Sequence, residues 1–369
     1  MGADAKKYQK IKLRLFAVDL VFGWTTLLLI QCSGLSRFWA EWAAARTAEP
    51  TAQIFFYALF FFHGIFLIGL PLSYYSGFVI EQRFQLSRQS RTDWVRDKFK
   101  SYALSLAFFL VTVELFYGIV RFYPRGWWLW AGVGWLGLTA GIARVLPTLL
   151  IPLFYRTRPL RDAVLRQSME RLREKTGLHA LGAYEISLSE KTKKANAALV
   201  GLGKSRRILF GDTLIESFSV PEIEMVAAHE IGHHVQKHIL KSLTVNFMTT
   251  LAGFFLLFQF SERLVLFFGA SGLEDPAIFP ALLLAGALGW FLTLPLQNFV
   301  SRHYENEADR YALTLYPDLN VFQSLLQKLG RQNLSDPDPP RWVEWLWYDH
   351  PCLSRRLENA DRFLGGKKS

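Results

Sequence analysis

The chain has 369 residues, 51% of them hydrophobic, with 12 Trp, 31 Phe and a formal net charge of +11. Apolar content of this size, gathered into long runs, points to a membrane protein. The positive charge would suit nucleic acid, but the basic residues cluster between the apolar runs, where membrane topology accounts for them better.

From the N-terminus, residues 13–34 read as a first span. The apolar run at 15–30 is long for a signal peptide, and Gln31 before Cys32 makes a poor lipoprotein site. Met1-Gly2-Ala3 is not followed by the Ser or Thr that myristoylation expects. The other cysteine, Cys352, lies far away, so no disulfide framework is implied. A polar stretch at 41–51 leads to a second span at 54–75, then a strongly basic loop at 81–100 and a third span at 102–122. Trp127, Trp128 and Trp130 open the fourth span, 127–154, where a Trp cluster favours the membrane–water interface.

Residues 156–241 read as a soluble part. A periodic helix covers 162–176, and short strands are expected at 184–188, 197–202 and 207–210. Ser219 and Glu222 have the spacing of a capping box and Pro221 suits a first turn, so a helix should start there and run to Lys241. A fifth span at 243–260, a loop at 261–277 and a sixth span at 278–300 follow, then a loop at 333–341 and a final amphipathic stretch. The basic segments at 6–14, 81–100 and 156–173 share one side. By the positive-inside rule both termini and the soluble part are cytoplasmic.

The chemistry sits in His229-Glu230-Ile231-Gly232-His233. On a helix the two histidines share a face, with Cβ atoms roughly 5–6 Å apart, close enough to clasp one metal ion while Glu230 holds a water. A catalytic zinc site wants a third protein ligand. His234 is rotated off the ligand face, and on a continuous helix His238 points the opposite way, so both read as solvated or packing residues. The third ligand should come from another helix. Two spans after the motif the chain returns to the same side at Ser301-Arg302-His303-Tyr304-Glu305-Asn306-Glu307-Ala308-Asp309, where Glu305 and Asp309 share a face and Glu307 points away. The plain alternative is that this acidic pair is merely solvated. Gly203-Lys204-Ser205 imitates the tail of a phosphate loop, but Ala198 occupies the position of its first glycine. Among ionisable residues inside spans, Asp19 with Arg144 and His63 with Glu114 fall at matching depths and suggest two buried pairs or a wet cavity. The bland reading leaves the first pair at the interface.

HExxH followed, after two spans, by Ser-Arg-x-x-Glu-x-x-Ala-Asp resembles the CAAX prenyl protease 1 family of integral-membrane zinc metallopeptidases and its bacterial relatives. Residues 74–81 resemble the loop entry after one of that family's spans. Asn196-Ala197 with Arg207–Phe210 and Asp212-Thr213-Leu214 resemble the strands ahead of its metal helix, and His350-Pro351 with Arg356-Leu357 its C-terminal segment. The eukaryotic members carry one span more, ahead of the first one here.

The resemblance implies one Zn²⁺ held by His229, His233 and Glu305, with Glu230 as general base, Asp309 hydrogen-bonded to a ligand histidine and His350 donating to the oxyanion. Asn196 would hold the extended substrate backbone, and Arg356 would be a second substrate contact or a brace.

The expected fold is a mainly α, polytopic helical membrane protein of about six spans with a small α+β cytoplasmic zinc-metallopeptidase domain. Its parts are an N-terminal membrane domain at 1–155, a catalytic part at 156–242, a membrane hairpin at 243–300 and a C-terminal cytoplasmic part at 301–369. The expected function is peptide hydrolysis at the cytoplasmic face of the bilayer, in the inner membrane if bacterial or the endoplasmic reticulum if eukaryotic. The partners would be a CAAX-type C-terminus, prenylated or not, or a damaged membrane protein as in bacterial heat-shock relatives, with no nucleic acid. A non-catalytic zinc-binding membrane scaffold is the third reading, against which Glu230 stands.

Overall fold

The computed structural model describes residues 2–177 and 182–366. Among them six helices are long and apolar enough to cross a membrane: Asp4–Cys32, Pro50–Arg83, Arg91–Phe122, Trp127–Phe154, His238–Phe267 and Pro276–Leu315. They correspond to the six expected spans. Side chains such as Leu29, Leu67 and Leu292 stand 62–78% exposed, a face suited to lipid. At one end of the bundle Tyr57, Phe61, Phe109, Tyr117 and Phe279 interlock edge-on, tilted or stacked. There Ser36, on the short helix Leu35–Ala44, donates to the Ala277 carbonyl at 2.8 Å and lies 2.7 Å from the Tyr57 hydroxyl.

At the other end sits a four-stranded sheet with β1 at Thr157–Pro159, β2 at Gly182–Ile186, β3 at Ala197–Val200 and β4 at Arg207–Gly211, in the order β1-β2-β4-β3. β2 and β4 are parallel; β1 and β3 run antiparallel to their neighbours. β3 is therefore an edge strand. The helix Ala163–Thr176 begins on an Asp162 cap and stops at Gly177, whose φ of 70° lies in the left-handed region that glycine tolerates. The HExxH helix, Val220–Val235, starts as the capping box demands: Glu222 Oε2 accepts from the Ser219 N–H at 2.7 Å. Glu222 also accepts from Ser324 and Lys328, both at 2.7 Å, which locks this helix to the helix Leu319–Asn333.

Several expectations are corrected. The HExxH helix ends at Val235 rather than Lys241, because Lys237 adopts φ 58° and a new helix starts at His238. Residues 74–81 are not a loop entry: the second span passes through them with a π turn at Tyr75–Val79, just after Pro71. The basic loop shrinks to a few residues, since the third-span helix already begins at Arg91, capped by Ser90. β1 is a fourth strand, too short and too proline-bound to announce itself. Neither intramembrane pair forms. Asp19 and Arg144 are both exposed and make no ion pair among the described residues. His63 turns instead to the Tyr102 hydroxyl, 2.6 Å away, leaving Glu114 Oε1 buried without a partner.

Candidate metal centre

The site forms where the HExxH helix crosses the sixth-span helix beyond its apolar part. The crossing is tight. A Cβ added at Gly232 would lie 3.1 Å from Ala308 Cα and 3.1 Å from Tyr311 Cβ, so any side chain at the fourth position of the motif would push on the facing helix by a few tenths of an ångström. That contact carries Glu305 and Asp309, one turn apart and buried, onto the two motif histidines.

His229 Nε2 and His233 Nε2 lie 3.1 Å apart. Glu305 Oε2 is 3.4 Å from the first and Glu305 Oε1 is 3.3 Å from the second. Tetrahedral coordination with bonds of about 2.0–2.1 Å spaces its ligand atoms by about 3.3 Å, so the triangle already has the dimensions of a metal-binding face. Its chemistry fits too. Glu305 Oε2 is buried with no hydrogen-bond partner. Burial alone would lower the His229 imidazole, yet the Asp309 and Glu305 carboxylates hold it up at about 10, the pull that a cation at this point would answer. These three residues can hold one metal ion.

Behind the triangle, His229 Nδ1 is 2.9 Å from Asp309 Oδ1, and Arg356 grips Asp309 with two hydrogen bonds at 2.8 and 2.7 Å. Arg356 is thus turned to Asp309. His238 does not face away. His238 Nδ1 lies 3.0 Å from His233 Nδ1, and its Nε2 lies 2.9 Å from Glu307 Oε2. His234, by contrast, turns to Arg206.

Glu230 projects beside the triangle toward the sheet, where the Leu199 N–H donates to its Oε2 at 2.8 Å. Burial pushes its carboxyl up from the ordinary range, against the pull of His229 and His233. Gly211 donates to the Asn196 carbonyl, so by the alternation of the ladder Ala198 and Val200 also turn toward β4. Ala197 and Leu199 therefore present their backbone groups on the open edge, toward Glu230. Asn196 itself is exposed, and its side chain makes no hydrogen bond among the described residues. One residue earlier, Asn333 pairs with both backbone groups of Ala195, at 2.9 and 3.0 Å. Only an Asn at a helix end signalled this clamp in the sequence.

His350 hangs from the segment between the helices Arg341–Trp347 and Leu353–Gly365. Its Nε2 is 3.3 Å from Glu305 Oε1 and its Nδ1 2.8 Å from Asp349 Oδ1, with the side chain 56% exposed. Burial would lower the imidazole, but Asp349 and Glu305 raise it above the ordinary histidine range.

Ligand donors at the end of a bundle of apolar helices define an integral multi-pass membrane metallopeptidase, a class that comparison with known proteins supports. Residues 3–156 match the family model described as CAAX prenyl protease N-terminal, five membrane helices, and residues 159–363 match that of peptidase family M48. The chain belongs to family M48. It is 32% identical over 324 residues to CAAX prenyl protease 1 of Saccharomyces cerevisiae, covering 82% of this chain and 71% of that one. It is 28% identical over 368 residues to the uncharacterized metalloprotease YhfN of Bacillus subtilis, covering 98% and 85%. The crystal structure of S. mikatae Ste24p superposes with a TM-score of 0.86 at 26% identity, covering 97% of this chain and 88% of that one. Where the N-terminal family model counts five membrane helices, the described residues of that region hold four candidate spans and the shorter helix Leu35–Ala44.

Proposed function

We propose that the chain is a zinc endopeptidase that cuts extended C-terminal peptides of the CAAX type at the cytoplasmic face of its membrane. The observation that carries this reading is the His229–His233–Glu305 triangle with Glu230 beside it, whose carboxylate reaches the open edge of β3. Zinc, when bound, supplies a Lewis acid that polarises the scissile carbonyl and eases deprotonation of water. The rest falls to side chains. Glu230 accepts the proton of the attacking water and returns it to the leaving amine. His350, held by Asp349, donates to the oxyanion. The substrate adds as a strand along β3, exchanging hydrogen bonds with Ala197 and steadied by the free amide of Asn196. Asp309 fixes the tautomer of His229, and Arg356 fixes Asp309.

The cytoplasmic placement rests on the basic segments that flank the spans. The substrate class rests on the resemblance to CAAX prenyl proteases. Purified protein in detergent, given matched CAAX-type peptides with and without a farnesyl group and an unrelated unfolded membrane segment, separates the readings. Cleavage confined to the CAAX-type termini supports the assignment. Preferential cleavage of the unfolded segment replaces it with a quality-control role.

A further inference from the structure

We propose that His238 and Glu307 form a positioning relay for the metal ligand His233, an inference that rests on the zinc reading above. The two ligand histidines are supported differently. His229 turns its Nδ1 straight to a carboxylate, Asp309, whereas the Nδ1 of His233 meets another imidazole, His238 Nδ1, at 3.0 Å. Only one arrangement of protons satisfies every atom in this chain. With His233 Nε2 given to the metal, its Nδ1–H donates to the bare Nδ1 of His238, and the Nε2–H of His238 donates to Glu307 Oε2 at 2.9 Å. The metal thereby selects one tautomer of both rings, and the Glu307 carboxylate, at the far end, favours the same one.

The relay exists because the backbone breaks. On an unbroken helix a residue five places after His233 would sit well over a third of a turn away, facing elsewhere. Lys237 at φ 58° interrupts the helix and restarts it at His238, which returns the ring beneath His233. There it is 2% exposed and stacks on Tyr304, with ring centroids 4.4 Å apart and planes 13° apart, so it cannot swing away. Glu307 is faced in turn by His303 at 3.6 Å and by the Lys241 ammonium at 4.0 Å. Tyr304, Glu305 and Glu307 share one stretch of helix, so a single segment supplies a metal ligand, the stacking wall and the relay's end.

The test is zinc affinity, measured by chelator competition on purified full-length protein. His238→Phe keeps the stack on Tyr304 and removes both nitrogens, while Glu307→Gln removes only the terminal charge. The expected result is a zinc dissociation constant raised about 10–100-fold by His238→Phe and less by Glu307→Gln, with no further loss in the double variant. The unfolding midpoint of the metal-free protein should stay that of the wild type, and His234→Gln should keep wild-type affinity. Unchanged affinity in both variants, additive losses in the double variant, or an equal loss of metal-free stability overturns the relay. Should His238→Phe not fold, Glu307→Gln decides alone. A wild-type protein that binds no zinc instead removes the metal reading itself, and the relay with it.

Discussion

Arg356 meets Asp309 side-on, Nε to Oδ2 at 2.8 Å and Nη2 to Oδ1 at 2.7 Å, so that one guanidinium holds both oxygens of the carboxylate that orients His229. Both side chains are largely buried. Removing one partner strands a buried charge, and Arg356→Ala should cost about 3–5 kcal/mol of stability. Arg356→Lys keeps the charge but loses the two-pronged grip, so thermal unfolding should place it between the alanine variant and the wild type.

Gly232 sets the distance between the HExxH helix and the helix that carries Glu305. Gly232→Ala forces a methyl against Ala308 and Tyr311, both on the neighbouring helix, and should destabilise by about 1–3 kcal/mol and reduce zinc content. Gly286, on the same long helix with open space where a Cβ would go, is the control: Gly286→Ala should bind zinc like the wild type.

Glu222 joins the cap of the HExxH helix to Lys328. Burial opposes its charged form, but Lys328, Ser324 and Ser219 overcome that and hold the carboxyl below its ordinary range. A depressed folded value gives stability that is complete above the ordinary carboxylate value and is lost as pH falls through the folded one. Glu222→Ala should therefore cost about 1–3 kcal/mol near neutrality, and its deficit against the wild type should shrink in acid, as denaturant titrations at several pH values would reveal.

Asn333 clamps both backbone groups of Ala195, immediately before the proposed substrate strand. Asn333→Ala leaves them unpaired and loosens the start of β3. Steady-state kinetics should show a rise in KM that exceeds any fall in kcat, since the edge is the proposed substrate-binding strand and the metal triangle is untouched. Equal KM with a collapsed kcat would place Asn333 in the chemistry instead.

Much of this was legible before any coordinates. Ser219, Pro221 and Glu222 announced the motif helix, and long apolar runs announced six spans, because both signals are local in sequence. The parity of the last two spans brought Glu305 within reach of His229 and His233. His238 departs from its expected direction for one reason. Counting phase along a helix assumes that it is unbroken, and Lys237 takes a left-handed conformation without the Gly or Asn that would signal it. The intramembrane pairs failed differently: depth along a span can be counted, but the rotation that turns His63 toward Tyr102 rather than Glu114 depends on how whole helices pack.

In the proposed reaction Glu230 does chemistry at a metal held by its neighbours. Zinc content measured alongside cleavage of a quenched peptide, for the wild type and Glu230→Gln in detergent, tests it directly. One zinc per chain is expected in both proteins, with cleavage in the wild type alone, down by several powers of ten in the variant. Glu230→Gln that cleaves like the wild type would contradict it, as would two zinc-loaded proteins that both leave every peptide intact, the behaviour of a scaffold.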